Sequence, residues 1–256
     1  MNRQDPKALG PLLASVKPGW YVLGALLVYA LLATGLLIAR PAVEAPAAGD
    51  VAAPASAPAA APVAETKYGP PGLWFPIPGA RLPASDDHLP GAPRAYRHGV
   101  SQGFDLYGQD ASVPIVSGTP VVAAQSGQIV RADVAYTEID PRAWEVLMAD
   151  VAESGASEDQ LDRLRGRQVW LRMADGTVLR YGHLSAVRDG VRTGMNVYRG
   201  QVIGFAGNSG TDVAVAGRSD QTRLRFEIWP DEDNFFGAGM EPEAVRIAAA
   251  SLFVGP

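Results

Sequence analysis

A mostly β, largely antiparallel domain with a helical insertion and a C-terminal helix, preceded by one transmembrane helix, is the fold class the sequence predicts. Three observations predict it. An uncharged apolar run lies near the N-terminus, short alternating segments separated by glycine turns begin at about Lys67, and two helix signatures interrupt those segments midway.

The apolar run is Trp20 to Ala39, WYVLGALLVYALLATGLLIA. About twenty such residues in a helix match a hydrocarbon core about 30 Å thick. Trp20 and Tyr21 suit the headgroup level. Arg3, Lys7 and Lys17 precede the run while Arg40 alone follows closely, which places residues 1–19 in the cytoplasm. A cleaved signal peptide is the rival reading, but its apolar region usually runs only about 7 to 15 residues. Residues 40–66 follow, nearly all Ala and Pro, with prolines that break helices and too few large apolar groups to pack. They are expected to form a tether reaching on the order of 75 Å if fully polyproline-like, at about 3.1 Å per residue. The folded part, 67–256, is then extracytoplasmic.

Within that part, VVAAQSGQIVRADV places Ser126-Gly127 as a turn between two strands. QVWLRMADGTVLRYGHL places Asp175-Gly176 as a hairpin turn joining Gln168–Met173 to Val178–Leu184. Between them lies a helical insertion at about 139–166. Asp140 is a cap, Pro141 the first helical residue, and Trp144, Leu147, Met148 and Val151 share one face up to Gly155. Ser157 and Gln160 form a capping-box pattern before Leu161 and Leu164, and Gly166 stops that second helix. Pro242 to Phe253 suits a terminal helix, with Val245, Ile247 and Leu252 as candidate buried residues, and Phe235-Phe236 reads as packing beside it.

The stretch QTRLRFEIWP alternates as a strand with one apolar face, Leu224, Phe226 and Ile228, and one charged face, Arg223, Arg225 and Glu227. Two guanidinium groups side by side repel unless something negative is near, or unless the face is simply solvated.

Composition narrows the chemistry. Net charge is −5, which gives no footprint for a phosphate backbone, so nucleic acid is not an expected partner. With 0 cysteines, thiolate metal sites, cysteine nucleophiles and disulfides are excluded. Imidazole chemistry is confined to His88, His98 and His183. His88 and His98 read as loop histidines. GFAGNSGT lacks the lysine of a phosphate loop and precedes no apparent helix. Ser209 with His183 and Asp105 does not fit a serine triad, because G-N-S-G is not the G-x-S-x-G elbow.

Five fragments, SQGFD (Ser101 to Asp105), GTPVVAAQSGQIV, YGHLS (Tyr181 to Ser185), GQVIGFAGNSGT and RLRFEI, stand in an order that resembles the lysostaphin-type (LytM) zinc endopeptidases of peptidoglycan, with their duplicated hybrid motif fold. The resemblance covers roughly 91–228. It implies a metal ligand at Asp105 and a catalytic histidine at His183. Ser101 and Arg225 then stand where histidine ligands belong, and Arg223 where an assisting histidine belongs. Tyr181, Asn208 and Ser209 are expected at the groove. Arginine offers donors only and stays charged, so it cannot ligate zinc, and one carboxylate plus one histidine are too few to hold a catalytic ion. Both residues are therefore expected to be vestigial, with Asp105 paired to Arg225, or else to Arg223, and no cofactor bound.

The expected function is that of a membrane-anchored envelope protein with a degenerate LytM-type domain, whose partner is peptidoglycan or a cell-wall hydrolase. The alternative is an active zinc endopeptidase using an unexpected third ligand such as His98.

Overall fold

The computed structural model describes residues 72–254, within the compact unit Ala60–Pro256. The expected cytoplasmic segment, membrane helix and tether lie outside the described residues. Among the described residues no helix is long and apolar enough to cross a membrane.

The strands in chain order are β1 (Pro93–Arg94), β2 (Gly99–Val100), β3 (Phe104–Tyr107), β4 (Pro120–Val122), β5 (Gly127–Ala132), β6 (Val169–Arg172), β7 (Val178–Gly182), β8 (Leu184–Val187), β9 (Asn196–Val197), β10 (Val202–Ala206) and β11 (Arg223–Trp229). The helices are α1 (Pro141–Ser154), α2 (Glu158–Leu164), α3 (Asp212–Val215) and α4 (Pro242–Leu252). Six strands form one antiparallel sheet in the order β3-β11-β7-β6-β5-β9, three form a second in the order β4-β10-β8, and β1 pairs with β2.

The predicted alternation decides the large sheet. Phe104 and Leu106 of β3, Leu224, Phe226 and Ile228 of β11, and Leu179 and Tyr181 of β7 point to one face and form the core. Helix α4 adds Val245, Ala248, Ala249 and Leu252. Those four recur at helical spacing; Ile247 falls on the opposite side and is 66% exposed, so its expected burial is corrected. Phe236 is buried, as the packing reading of Phe235-Phe236 requires.

The Asp175-Gly176 hairpin joins β6 to β7 in antiparallel register. Its second strand is shorter than expected. The backbone turns left-handed at His183 (φ 57°), and Leu184 begins β8, which pairs with β10 in the other sheet. The Ser126-Gly127 turn likewise joins strands of different sheets, β4 and β5, and not a hairpin.

The insertion forms as its capping signals predict. The Asp140 side chain accepts from the Arg142 and Ala143 amides, and Ser157 and Gln160 exchange the two bonds of a capping box. Leu147, Val151 and Leu164 make a small second core with Trp144 and Met148 partly buried against it. One loop reading is corrected: GFAGNSGT does lead into a helix, the single turn α3, capped by Thr211.

Phe226→Ala should destabilise the domain by about 3–5 kcal/mol, the usual cost of truncating a buried aromatic residue. Ile247→Ala should stay within about 0.5 kcal/mol, as surface changes do. Denaturant unfolding of the two variants checks both values.

Candidate functional site

On the face of the large sheet opposite the core, the register places Arg225 of β11 between Asp105 of β3 and Gly182 of β7. This is the charged face that the sequence left open to a solvated reading. That reading is corrected: Asp105, Arg225 and Glu227 are 5%, 7% and 1% exposed. The insertion and the β1–β2 segment roof them. Two glycines make room beneath. A Cβ at Gly103 would lie 2.6 Å from Cγ of Glu227, and one at Gly182 would lie 3.1 Å from the Arg165 carbonyl oxygen.

Arg225 is the hub. Its Nη1 donates to both Asp105 oxygens (3.1 and 3.2 Å), its Nη2 to Ser101 Oγ (3.3 Å) and its Nε to Glu227 Oε1 (2.8 Å). Arg94 Nη2 donates to Asp105 Oδ2 at 3.0 Å. Arg223 takes a second role: its Nε lies 3.6 Å from Asp105 Oδ1 while its Nη2 donates to His183 Nε2 at 2.9 Å. Arg165, at the end of α2, donates from Nε to Glu227 (3.0 Å) and from Nη2 to Gln102. Trp229 Nε1 completes the Glu227 shell at 2.9 Å.

These contacts fix the protonation states. Burial pushes the Asp105 carboxyl up, but Arg225, with Arg223 and Arg94, outweighs it and holds the group well below the usual carboxylate range. Burial likewise opposes ionisation of Glu227, and Arg165 and Arg225 bring it down to about 2. His183 moves the other way: burial, then Arg223, hold it well below its ordinary value, so it is neutral. Its tautomer follows from its partners. The Ser209 carbonyl oxygen, 2.8 Å from Nδ1, can only accept, and Arg223 can only donate, so Nδ1 carries the proton and Nε2 the lone pair.

The donor set does not fit a zinc ion. Both Asp105 oxygens and the Nε2 lone pair of His183 are directed at guanidinium groups, and Ser101 Oγ accepts from Arg225 while donating to Gly103. Among the described residues no cluster of three or more His, Cys, Asp or Glu side chains is arranged to hold a metal ion. His98 is exposed and its Nε2 meets the Ala152 carbonyl oxygen of α1 at 2.7 Å, away from Asp105.

Asp105, His183, Ser101, Arg223 and Arg225 thus converge. The three expected groove residues do not. Tyr181 lies on the core face with its hydroxyl accepting from the Ala124 amide, because alternation along β7 sends it opposite to Gly182. Asn208 binds the Arg218 and Asp220 carbonyls. Ser209 reaches His183 through its backbone carbonyl, while its hydroxyl donates to Leu184, which also excludes a serine triad. Arg94, Arg97, Arg165 and Glu227 belong to the site and were not singled out from the sequence. Glu227 had a signal, two positions after Arg225 in the same alternation; the three arginines come from a two-residue strand and from helix ends, where no periodicity marks direction.

Residues 146–236 match the model of peptidase family M23. The matched segment carries His183, Arg223 and Arg225; Ser101 and Asp105 precede it. Among solved structures, the antimicrobial peptidase lysostaphin from Staphylococcus simulans is 22% identical, covering 73% of this chain and 56% of its own, with a TM-score of 0.41. Its isolated catalytic domain is 22% identical over 61% of this chain and 81% of its own, TM-score 0.34. A zinc-containing peptidase from Vibrio cholerae is 20% identical over 61% and 36%, TM-score 0.37. The chain thus spans little more than half of lysostaphin and about a third of the Vibrio protein. No curated protein matches the chain.

Arg225→Met should destabilise the domain by about 3–5 kcal/mol, because it leaves two buried carboxylates short of their shared cation. Stability should also fall in acid. Glu227 is depressed in the fold and ordinary, at about 4.3, when unfolded. Its contribution is therefore full above about pH 4.5 and lost as pH falls toward 2. Denaturant midpoints across that window should drop steeply in the native chain and less steeply in Glu227→Gln.

Proposed function

We propose that this chain is a membrane-anchored envelope protein whose M23-type domain has exchanged zinc hydrolysis for binding, acting on peptidoglycan directly or through a cell-wall hydrolase. The observation that carries this reading is the engagement of every ligand candidate by arginine: Asp105 by Arg225 and Arg94, and His183 by Arg223. A metal would have to displace cations that are themselves buried and hydrogen-bonded, and it would gain too few lone pairs in return. The match of residues 146–236 to peptidase family M23 supports a wall-related role. The Trp20–Ala39 run and the Ala/Pro-rich tether support attachment at the membrane with reach toward the wall. Arg223 and Arg225 also keep the sheet face organised, so a groove survives where the chemistry does not.

Metal analysis of the purified full-length protein, run beside a cleavage assay on crosslinked peptidoglycan, tests the reading. The expected result is zinc far below one equivalent and no cleavage, with retention of the protein on pelleted peptidoglycan or on a wall hydrolase. Stoichiometric zinc with cleavage would overturn it. The combined variant Ser101→His, Arg223→His and Arg225→His should gain zinc affinity by at least tenfold over the native chain, measured by competition with a chromogenic chelator.

A further inference from the structure

A cavity of about 450 Å³ opens over the arginine cluster, between the large sheet and the insertion. Its size is that of a small-ligand site. Five guanidinium groups line it, from Arg94, Arg97, Arg165, Arg223 and Arg225, against three carboxylates, Asp105, Asp212 and Glu227. His183, also in the wall, is neutral. The cavity therefore carries an excess of positive charge inside a protein that is acidic overall.

Two of these arginines have unused capacity. Arg97 is 7% exposed, and its polar contact is one bond from Nη2 to the Val100 carbonyl oxygen. Among the described residues no carboxylate lies within ion-pair distance of it. Burial and the neighbouring Arg225 bring it down to about 10, the behaviour of a cation short of counter-charge, so it stays protonated at neutral pH. Arg223 Nε is buried and has no hydrogen-bond acceptor. A buried guanidinium N–H without an acceptor is costly, and the cost disappears when an anion supplies an oxygen. The opposite wall is apolar: Trp144 and Met148 from α1, with Leu161 and Leu164 from α2, face the cavity.

We propose that this cavity is a binding site for a short ligand with a free carboxylate, the carboxylate accepting from Arg97 and Arg223 and the ligand body lying against Trp144 and Met148. This deepens the binding role proposed above and rests on it. The planar guanidinium fork matches a planar carboxylate with two parallel bonds. Asp105 and Glu227 in the same wall oppose a more highly charged anion such as phosphate. Peptide chain ends meet these requirements.

Titration calorimetry on the full-length protein in detergent tests the site with three probes: N-acetyl-alanyl-alanine as the free acid, the same dipeptide as its C-terminal amide, and inorganic phosphate. The acid should bind at least tenfold more tightly than either of the others. Arg97→Gln should remove that preference. Because Arg97 is buried, a second variant guards against misfolding: Met148→Glu, on a partly buried helix wall, places a carboxylate in the cavity and should abolish acid binding while the thermal transition persists. Equal binding of acid and amide, tighter binding of phosphate, or acid binding undiminished in Met148→Glu would each overturn the proposal. If the protein still pellets with peptidoglycan in that event, the wider binding role stands without this site; if pelleting also fails, both fall.

Discussion

A single guanidinium, that of Arg225, holds two buried carboxylates, one on a neighbouring strand and one on its own, and the whole polar face of the large sheet is built on that arrangement. Asp105 and Glu227 are each nearly inaccessible to water. Neither could remain ionised there alone, since removing a carboxylate from water costs several kcal/mol even after relaxation. Arg225 reaches both, and each has a second arginine of its own, Arg94 for Asp105 and Arg165 for Glu227. The attraction wins over desolvation because every charge has more than one partner at hydrogen-bond distance. The sign of the result is visible in Arg225 itself: burial alone would lower its pKa, yet Asp105 and Glu227 raise it.

That network depends on segments distant in sequence, which ties the insertion to the sheet. Arg165 follows directly on α2, and the turn beyond it is Gly166 at φ 68°, where a Cβ would lie 2.2 Å from the Ser209 carbonyl oxygen. The same carbonyl accepts from His183. Helix α2, the left-handed turn at His183 and the loop at Ser209 thus share one junction, so the end of the insertion sets where the imidazole points. The neighbouring Arg180 extends the network along β7, with its guanidinium 4.1 Å from the Trp170 ring and 3.9 Å from the Trp229 ring.

Much of this was legible in the sequence. The alternation of β11, the Asp175-Gly176 hairpin and both helix caps are local signals with local causes, and they place the arginine pair, the insertion and the core face correctly. The juxtaposition of Asp105 and Arg225 was legible only because five ordered fragments resemble a known family; nothing local links residues 120 positions apart. What was not legible depends on backbone direction. Tyr181 and His183 are two residues apart and would share a face in a continuous strand, but the positive φ at His183 breaks the strand there. Alternation counted through that break puts Tyr181 in the groove, where in fact it fills the core. Arg94 ends the two-residue strand β1, and Arg97 and Arg165 lie at helix ends, places too short or irregular for a period to predict side-chain direction.

A site built on guanidinium groups differs from one built on imidazoles in more than metal affinity. A site built from histidines alters its charge between about pH 5 and 8, where imidazole titrates. Here Asp105 and Glu227 are ionised well below that range, burial and Arg223 hold the imidazole of His183 toward its neutral form, and even Arg97 is protonated up to about pH 10. The charge pattern over the cavity is therefore fixed across the neutral range. Hydrolysis needs a group that gains and loses a proton near neutrality, whereas recognition of a charged ligand is served by groups that do neither. The arginines that occupy the lone pairs of Asp105 and His183 thus also leave a surface of nearly constant charge, the property that recognition of a charged ligand by fixed groups requires.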